Sequence, residues 1–135
     1  MDTKLVSIYE GAHWHVVAFQ TDGKTPTHDY LEKAKKNNEK DHDRLMARIN
    51  MVADFATYNN DQVFNHEGDG IFAFKTRQGL RLYCFKEENR LIVTVSGSDK
   101  PKKKQQQKDI GDAKKWRSRY YAARKVKKIE ITHEE

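Results

Sequence analysis

Arg81 and Tyr83 alternate within Leu80–Lys86, a run whose period-two pattern is that of a β-strand. Alternation sets Leu80, Leu82 and Cys84 on one face and Arg81, Tyr83 and Phe85 on the other. A short way downstream the cations Lys100, Lys102, Lys103 and Lys104 fall within five residues. Lys75 and Arg77 precede the strand, and Phe72 and Phe74 stand before them. This set reads as a polyanion site. An arginine fork neutralises phosphate oxygens, lysines add point charge, and aromatic rings offer a platform for bases. Such a set can also cut RNA without metal. The ribose 2′-hydroxyl is already held beside the scissile phosphate, so the protein must orient it, neutralise the growing charge and move protons. DNA lacks that nucleophile, so the chemistry would select RNA. The bland alternative is an exposed arginine on a solvated sheet face beside a run of solvated lysines.

Other chemistries are poorly supported. The histidines at positions 13, 15, 28, 42, 66 and 133 show no metal-ligand motif. His13 and His15 point to one side of a strand, a pairing that core packing explains well. Cys84 is the only cysteine and alternates inward, as a buried structural thiol does. No P-loop, dinucleotide fingerprint or nucleophile elbow occurs. Neither a metal nor an organic cofactor is expected.

The elements that must position this set are legible around it. Ile71–Lys75, Leu80–Lys86 and Leu91–Ser96 read as three strands, turned at Arg77-Gln78-Gly79 and Glu87-Glu88-Asn89. Upstream, His13–Gln20 reads as a strand with Trp14, Val16 and Ala18 on one face. Thr25-Pro26 opens a short helix ending near Asn37-Asn38. Asp41 or Asp43 caps a longer one with a stripe of Leu45, Ile49, Val52, Ala53 and Ala56, stopping at Tyr58–Asp61. Downstream, a helix from about Lys108 presents Ile110, Ala113, Trp116 and Tyr120 as its seam, with Asp109 and Asp112 in its first turn. Its far face carries Lys114, Lys115, Arg119 and Arg124. Val126–Thr132 reads as either an added edge strand or a frayed tail. The fold class expected is α+β: an antiparallel-rich twisted sheet of about four strands, a helical hairpin on one face, and a C-terminal helix. One domain spans residues 1–135, with 1–12 and 122–135 as extensions.

Charge is distributed to match. The net +6 resolves into −4 over residues 1–70, +2 over 71–99 and +8 over 100–135, the layout of a nucleic-acid binder with a basic C-terminal third. Mean hydropathy is −1.00, yet six Phe and six Tyr argue against disorder. One cysteine, no long apolar run and no secretory leader predict a cytoplasmic protein.

The element order and two motifs resemble the RelE/HigB superfamily of bacterial toxins, especially its phage-derived HigB-like branch. Gly79-Leu80-Arg81-Leu82-Tyr83 is similar to the family's middle strand with its recurrent catalytic arginine. Lys100–Lys104, followed by Asp109-Ile110, Ala113 and Arg117, is similar to the branch's basic signature. Phe72 and Phe74 stand where other members carry catalytic lysines. The resemblance implies a RelE-like fold and a metal-independent, ribosome-dependent mRNA endonuclease (an mRNA interferase). It implies mRNA and the ribosome as partners, and a helix-turn-helix antitoxin as inhibitor. In that frame Arg81 contacts the scissile phosphate. Lys100, Lys102 and Lys104 grip RNA and stabilise the leaving charge, and Tyr83 stacks or relays a proton. Lys75, Arg77, Lys103, Phe72 and Phe74 complete the RNA surface. The alternative is a non-catalytic RNA- or ribosome-binding phage-type regulator.

Overall fold

The computed structural model describes residues 2–55, 60–99 and 102–133. A seven-stranded mixed sheet forms its middle layer. The chain runs β1 (Thr3–Glu10), β2 (His15–Thr21), α1 (Pro26–Asn37), α2 (Glu39–Asp54), β3 (Phe64–Gly68), β4 (Ile71–Lys75), β5 (Leu80–Glu87), β6 (Leu91–Asp99), α3 (Lys103–Val126) and β7 (Ile131–Thr132). Across the sheet the order is β3-β4-β5-β6-β2-β1-β7. The β3–β6 meander is antiparallel, β2 joins β6 in parallel, and β1 lies antiparallel to β2 and parallel to β7.

The class is α+β, as expected, but seven strands replace the expected four. Two of the additions have a clear physical origin. Thr3–Glu10 is an inner strand rather than an extension, because Leu5 and Val6 alternate into opposite faces and both are buried. β3 exists because Asp69 (φ 53°) and Gly70 (φ 80°) form a tight left-handed turn that folds it back on β4. At the C-terminus β7 resolves the open choice in favour of a two-residue edge strand on β1.

Two apolar layers hold the helices. Leu45, Ile49, Val52 and Ala53 of α2 and Ala34 of α1 pack on Val16, Phe74, Leu80, Leu82, Cys84 and Ile92. Ala113 and Tyr120 of α3 pack on Leu5, Val17, Phe19, Ile71, Ala73, Tyr83, Phe85, Val93 and Val95 on the opposite face. Leu80, Leu82 and Cys84 therefore do face the helical hairpin. Arg81's strand-mates Tyr83 and Phe85 do not face open space: α3 covers them, and each is 1% exposed. An α3 that must bury Tyr120 and Ala113 has only this second sheet face to use.

The helix caps differ in detail. Thr25 and Pro26 start α1 as read. α2 starts earlier than expected, because the Asn38 side chain accepts the Asp41 N–H and caps it. Asp41 is thereby inside the helix and buried. The expected stop at Tyr58–Asp61 lies partly outside the described residues, and α2 itself ends at Asp54. α3 begins at Lys103, so its first turn carries no acid and Asp109 sits one turn further in.

A basic cleft at one end of the sheet

Lys75 ends β4 and pairs with Arg81 near the start of β5, with the turn Thr76–Gly79 between them. Backbone bonds close this turn: Thr76 N–H donates to Leu80 O (3.0 Å) and Gly79 N–H to Thr76 O (3.1 Å). Thr76 is buried, and its hydroxyl donates to Asp41 Oδ2 (2.9 Å) while accepting Leu80 N–H (3.1 Å). Asp41 of α2 thus pins the turn that carries Arg77. Arg48, two helical turns on, donates to the Lys75 carbonyl at 2.7 Å. Tyr30 of α1 braces the same end: its hydroxyl accepts Arg81 N–H (3.3 Å) and lies 2.7 Å from Asp99 Oδ1 and 3.0 Å from Ser98 O. Burial and the Asp99 carboxyl push the Tyr30 hydroxyl far above its ordinary value, so it stays protonated.

These braces frame a cleft of about 740 Å³ lined by Arg44, Arg48, Lys75, Arg77 and Arg81, with Thr76 and neutral neighbours. No carboxylate lines it among the described residues. Arg81 does have an anionic partner just beyond: its Nη1 donates to Glu67 Oε1 at 2.9 Å, with side chains 21% and 13% exposed. That pair fixes the guanidinium on β3 and leaves its other donors to the cleft.

Lys75, Arg77 and Arg81 are therefore brought together. Lys102 caps α3, and Lys103 and Lys104 open its first turn, all exposed. They do not line the cleft. They follow from Asp99, which pairs with Leu80, so the same end of the sheet delivers them. Lys100 lies outside the described residues. Phe74 is fully buried in the hairpin core and presents no face to a base, which corrects its assignment to the RNA surface. Phe72 is half-buried, stacked on Phe64 at 5.2 Å, with the Lys86 ammonium 4.5 Å above its ring. Tyr83 is buried beneath α3, so the open aromatic face expected beside Arg81 is closed. Burial pushes its hydroxyl up.

Arg44, Arg48 and Glu67 were not picked out from the sequence. Arg44 and Arg48 are four residues apart on α2, a spacing that puts two cations on one helix side. Their meeting with Lys75 depends on how the hairpin docks, which no local pattern encodes. Elsewhere, Cys84 is buried and desolvation pushes its thiol up, so it is a core residue. His15 Nε2 lies 2.7 Å from Ser7 Oγ and its ring stacks on His133. No group of three or more His, Cys, Asp or Glu is placed to hold a metal among the described residues. No described helix is long and apolar enough to cross a membrane.

The fold and cleft define a class of α+β protein with a cationic groove at one end of its sheet. Comparison with protein-family models, curated proteins and solved structures finds no match for this chain.

Proposed function

We propose that this protein binds single-stranded RNA through the basic cleft and acts as a RelE/HigB-like toxin that cleaves mRNA on the ribosome. The observation that carries the proposal is the convergence of Arg44, Arg48, Lys75, Arg77 and Arg81 from α2, β4, β5 and the turn between the strands. Five cations face one groove, with only Arg81 seen to be offset by a carboxylate, Glu67, among the described residues, and their mutual repulsion calls for a polyanion. Their elements are cross-braced, so the charges are held in place before the ligand arrives.

Cleavage follows the chemistry intrinsic to RNA. The 2′-hydroxyl gives up its proton to a solvent water molecule and attacks the adjacent phosphorus, while the bond to the 5′-oxygen breaks and that oxygen gains a proton. The products are a 2′,3′-cyclic phosphate and a 5′-hydroxyl end. Arg81 and Arg77 neutralise the phosphate oxygens, and the Lys75 ammonium is the proton source for the leaving oxygen. Lys102 and Lys104 grip the strand beyond the sheet end. Inhibition by a small helix-turn-helix antitoxin belongs to the same proposal.

A second function has its own support. No His, Tyr, Asp or Glu lines the cleft among the described residues, so none of these described side chains is placed as a base for the 2′-hydroxyl. A non-catalytic RNA- or ribosome-binding regulator needs only the charges. Induced expression separates the two. The toxin arrests growth and generates new mRNA 5′ ends, and a folded Lys75→Ala/Arg77→Ala variant does neither. Normal growth with intact mRNA on translating ribosomes would leave only the binder.

A further inference from the structure

Under the N-terminal half of α3 lies a second hollow, of about 230 Å³, opening between β6 and the helix. Its origin is a bulge. Tyr83 pairs with Ser96 but Cys84 pairs with Thr94, so β6 carries one extra residue at Val95. The bulge turns Val95 into the core and Ser96 towards α3. Gly97 comes next, and its missing side chain would point at Tyr30 on the far face, so bare backbone floors the hollow.

The polar groups here are incompletely bonded. Asp109 Oδ1 accepts from Gln105 Nε2 at 2.8 Å, but Asp109 Oδ2 is buried and has no hydrogen-bond partner. Ser96 Oγ, which also lines the hollow, shares that condition. A carboxylate oxygen only accepts, so a buried one needs a donor from elsewhere. Lys115 and Arg119 bring two cations to the lining beside a second carboxylate, Asp112, and the Arg119 guanidinium sits 4.8 Å over the Trp116 ring. The hollow thus combines an acceptor in its floor, cations at its mouth and an aromatic plane at its side.

We infer that this hollow is a ribose-reading subsite, which takes one nucleotide of an RNA strand with a sugar hydroxyl donating to Asp109 Oδ2. This rests on the proposal that the cleft binds RNA. The flanking phosphate meets Lys115 and Arg119, and the base lies against Trp116. Ser96 Oγ supplies the second bond to the sugar. A metal ion fits poorly, since the two carboxylates of the lining, Asp109 and Asp112, face two nearby cations and no third ligand of their kind joins them among the described residues. A deoxyribose leaves Asp109 without its donor, so the site selects RNA over DNA. Asp109 lies less than two helical turns beyond Lys103 and Lys104, and those lysines link it to the cleft end of the sheet.

The test compares binding of a fluorescent oligouridylate with its 2′-deoxy counterpart, using the full chain. Wild type is expected to favour the ribo-oligomer roughly tenfold, the value of a charge-assisted hydrogen bond. Asp109→Ala and Ser96→Ala are expected to bring the ratio towards one. The ratio is the readout because removing the Asp109 charge raises affinity for both oligomers alike. Ser96→Ala changes no charge and deletes one hydroxyl from a hollow, so it decides the matter if Asp109→Ala does not fold. A wild type without ribo preference, or variants that keep it, overturns the subsite. If either result accompanies strong binding that Lys75→Ala/Arg77→Ala weakens, the subsite fails and the cleft stands. If that double variant binds as wild type does, it is the cleft that fails.

Discussion

The salt dependence of RNA binding follows directly from the cleft's charge count. Each cation that meets a phosphate on a single strand releases condensed counterions and contributes about −0.7 to the slope of log K against log salt. The five lining cations contribute up to about −3.5 to that slope, hence a roughly hundredfold loss of affinity from the cleft's share between about 50 and about 200 mM salt. Removing two of them in Lys75→Ala/Arg77→Ala makes the slope about 1.4 shallower, which cuts that share of the loss to about twentyfold over the same range. Lys35 and Lys36, exposed in the last turn of α1, provide the control. Fluorescence anisotropy of a labelled oligouridylate at four or more salt concentrations measures all three proteins. The cleft double variant should flatten the slope and the α1 double should not. Equal flattening by both pairs would mean that net charge alone attracts RNA, and an unchanged slope in the cleft variant would place the RNA elsewhere.

Other consequences concern the scaffold. Thr76→Val removes the hydroxyl that joins buried Asp41 to the β4–β5 turn, and should cost about 2 kcal/mol in chemical denaturation, with weaker RNA binding as Arg77 loosens. Gly97→Ala would set its Cβ 2.2 Å from Tyr30 Cδ2, so the ring must move and stability should fall by about 1–3 kcal/mol; an unchanged denaturation midpoint would contradict that packing. His15 has its pKa lowered, first by burial and then by His133, against an opposing pull from Glu10. As pH falls through about 6.5 the unfolded chain takes up that proton before the folded one, so His15's contribution is intact above this range and lost below it. The stability advantage of wild type over His15→Gln should therefore shrink on going from about pH 8 to about pH 5.5.

How far the sequence reached depends on the range of the interactions. The β4–β6 meander was legible because alternation and turn chemistry are local: Ile71–Lys75 matches β4 residue for residue, and Gly79, at φ 112°, sits in the turn as read. The seam of α3 was legible for the same reason, with Ala113 and Tyr120 buried. β3 was missed although Asp69-Gly70 is a hairpin signal, because Phe64–Gly68 is a polar edge strand with little apolar pattern. The open face beside Arg81 was misjudged for a different reason. Alternation separates Tyr83 and Phe85 from Leu82 and Cys84 but does not say that a helix will cover both faces. In the candidate site, Lys75, Arg77 and Arg81 were legible as neighbours in a hairpin. Arg44 and Arg48 come from a helix that meets that hairpin through apolar packing and through the polar contacts of Asp41 with Thr76 and of Arg48 with the Lys75 carbonyl, the polar contacts being separated by more than 25 residues.

The central claim, that RNA lies in the cleft between α2 and the β4–β5 turn, is tested most directly by photocrosslinking. A short RNA carrying 4-thiouridine, irradiated with the intact protein and mapped by mass spectrometry, should label peptides within Arg44–Arg48 and Lys75–Arg81, and excess unlabelled RNA should abolish the labelling. Crosslinks confined to other surfaces, such as the Trp14 and Lys86 end of the sheet, would contradict the account.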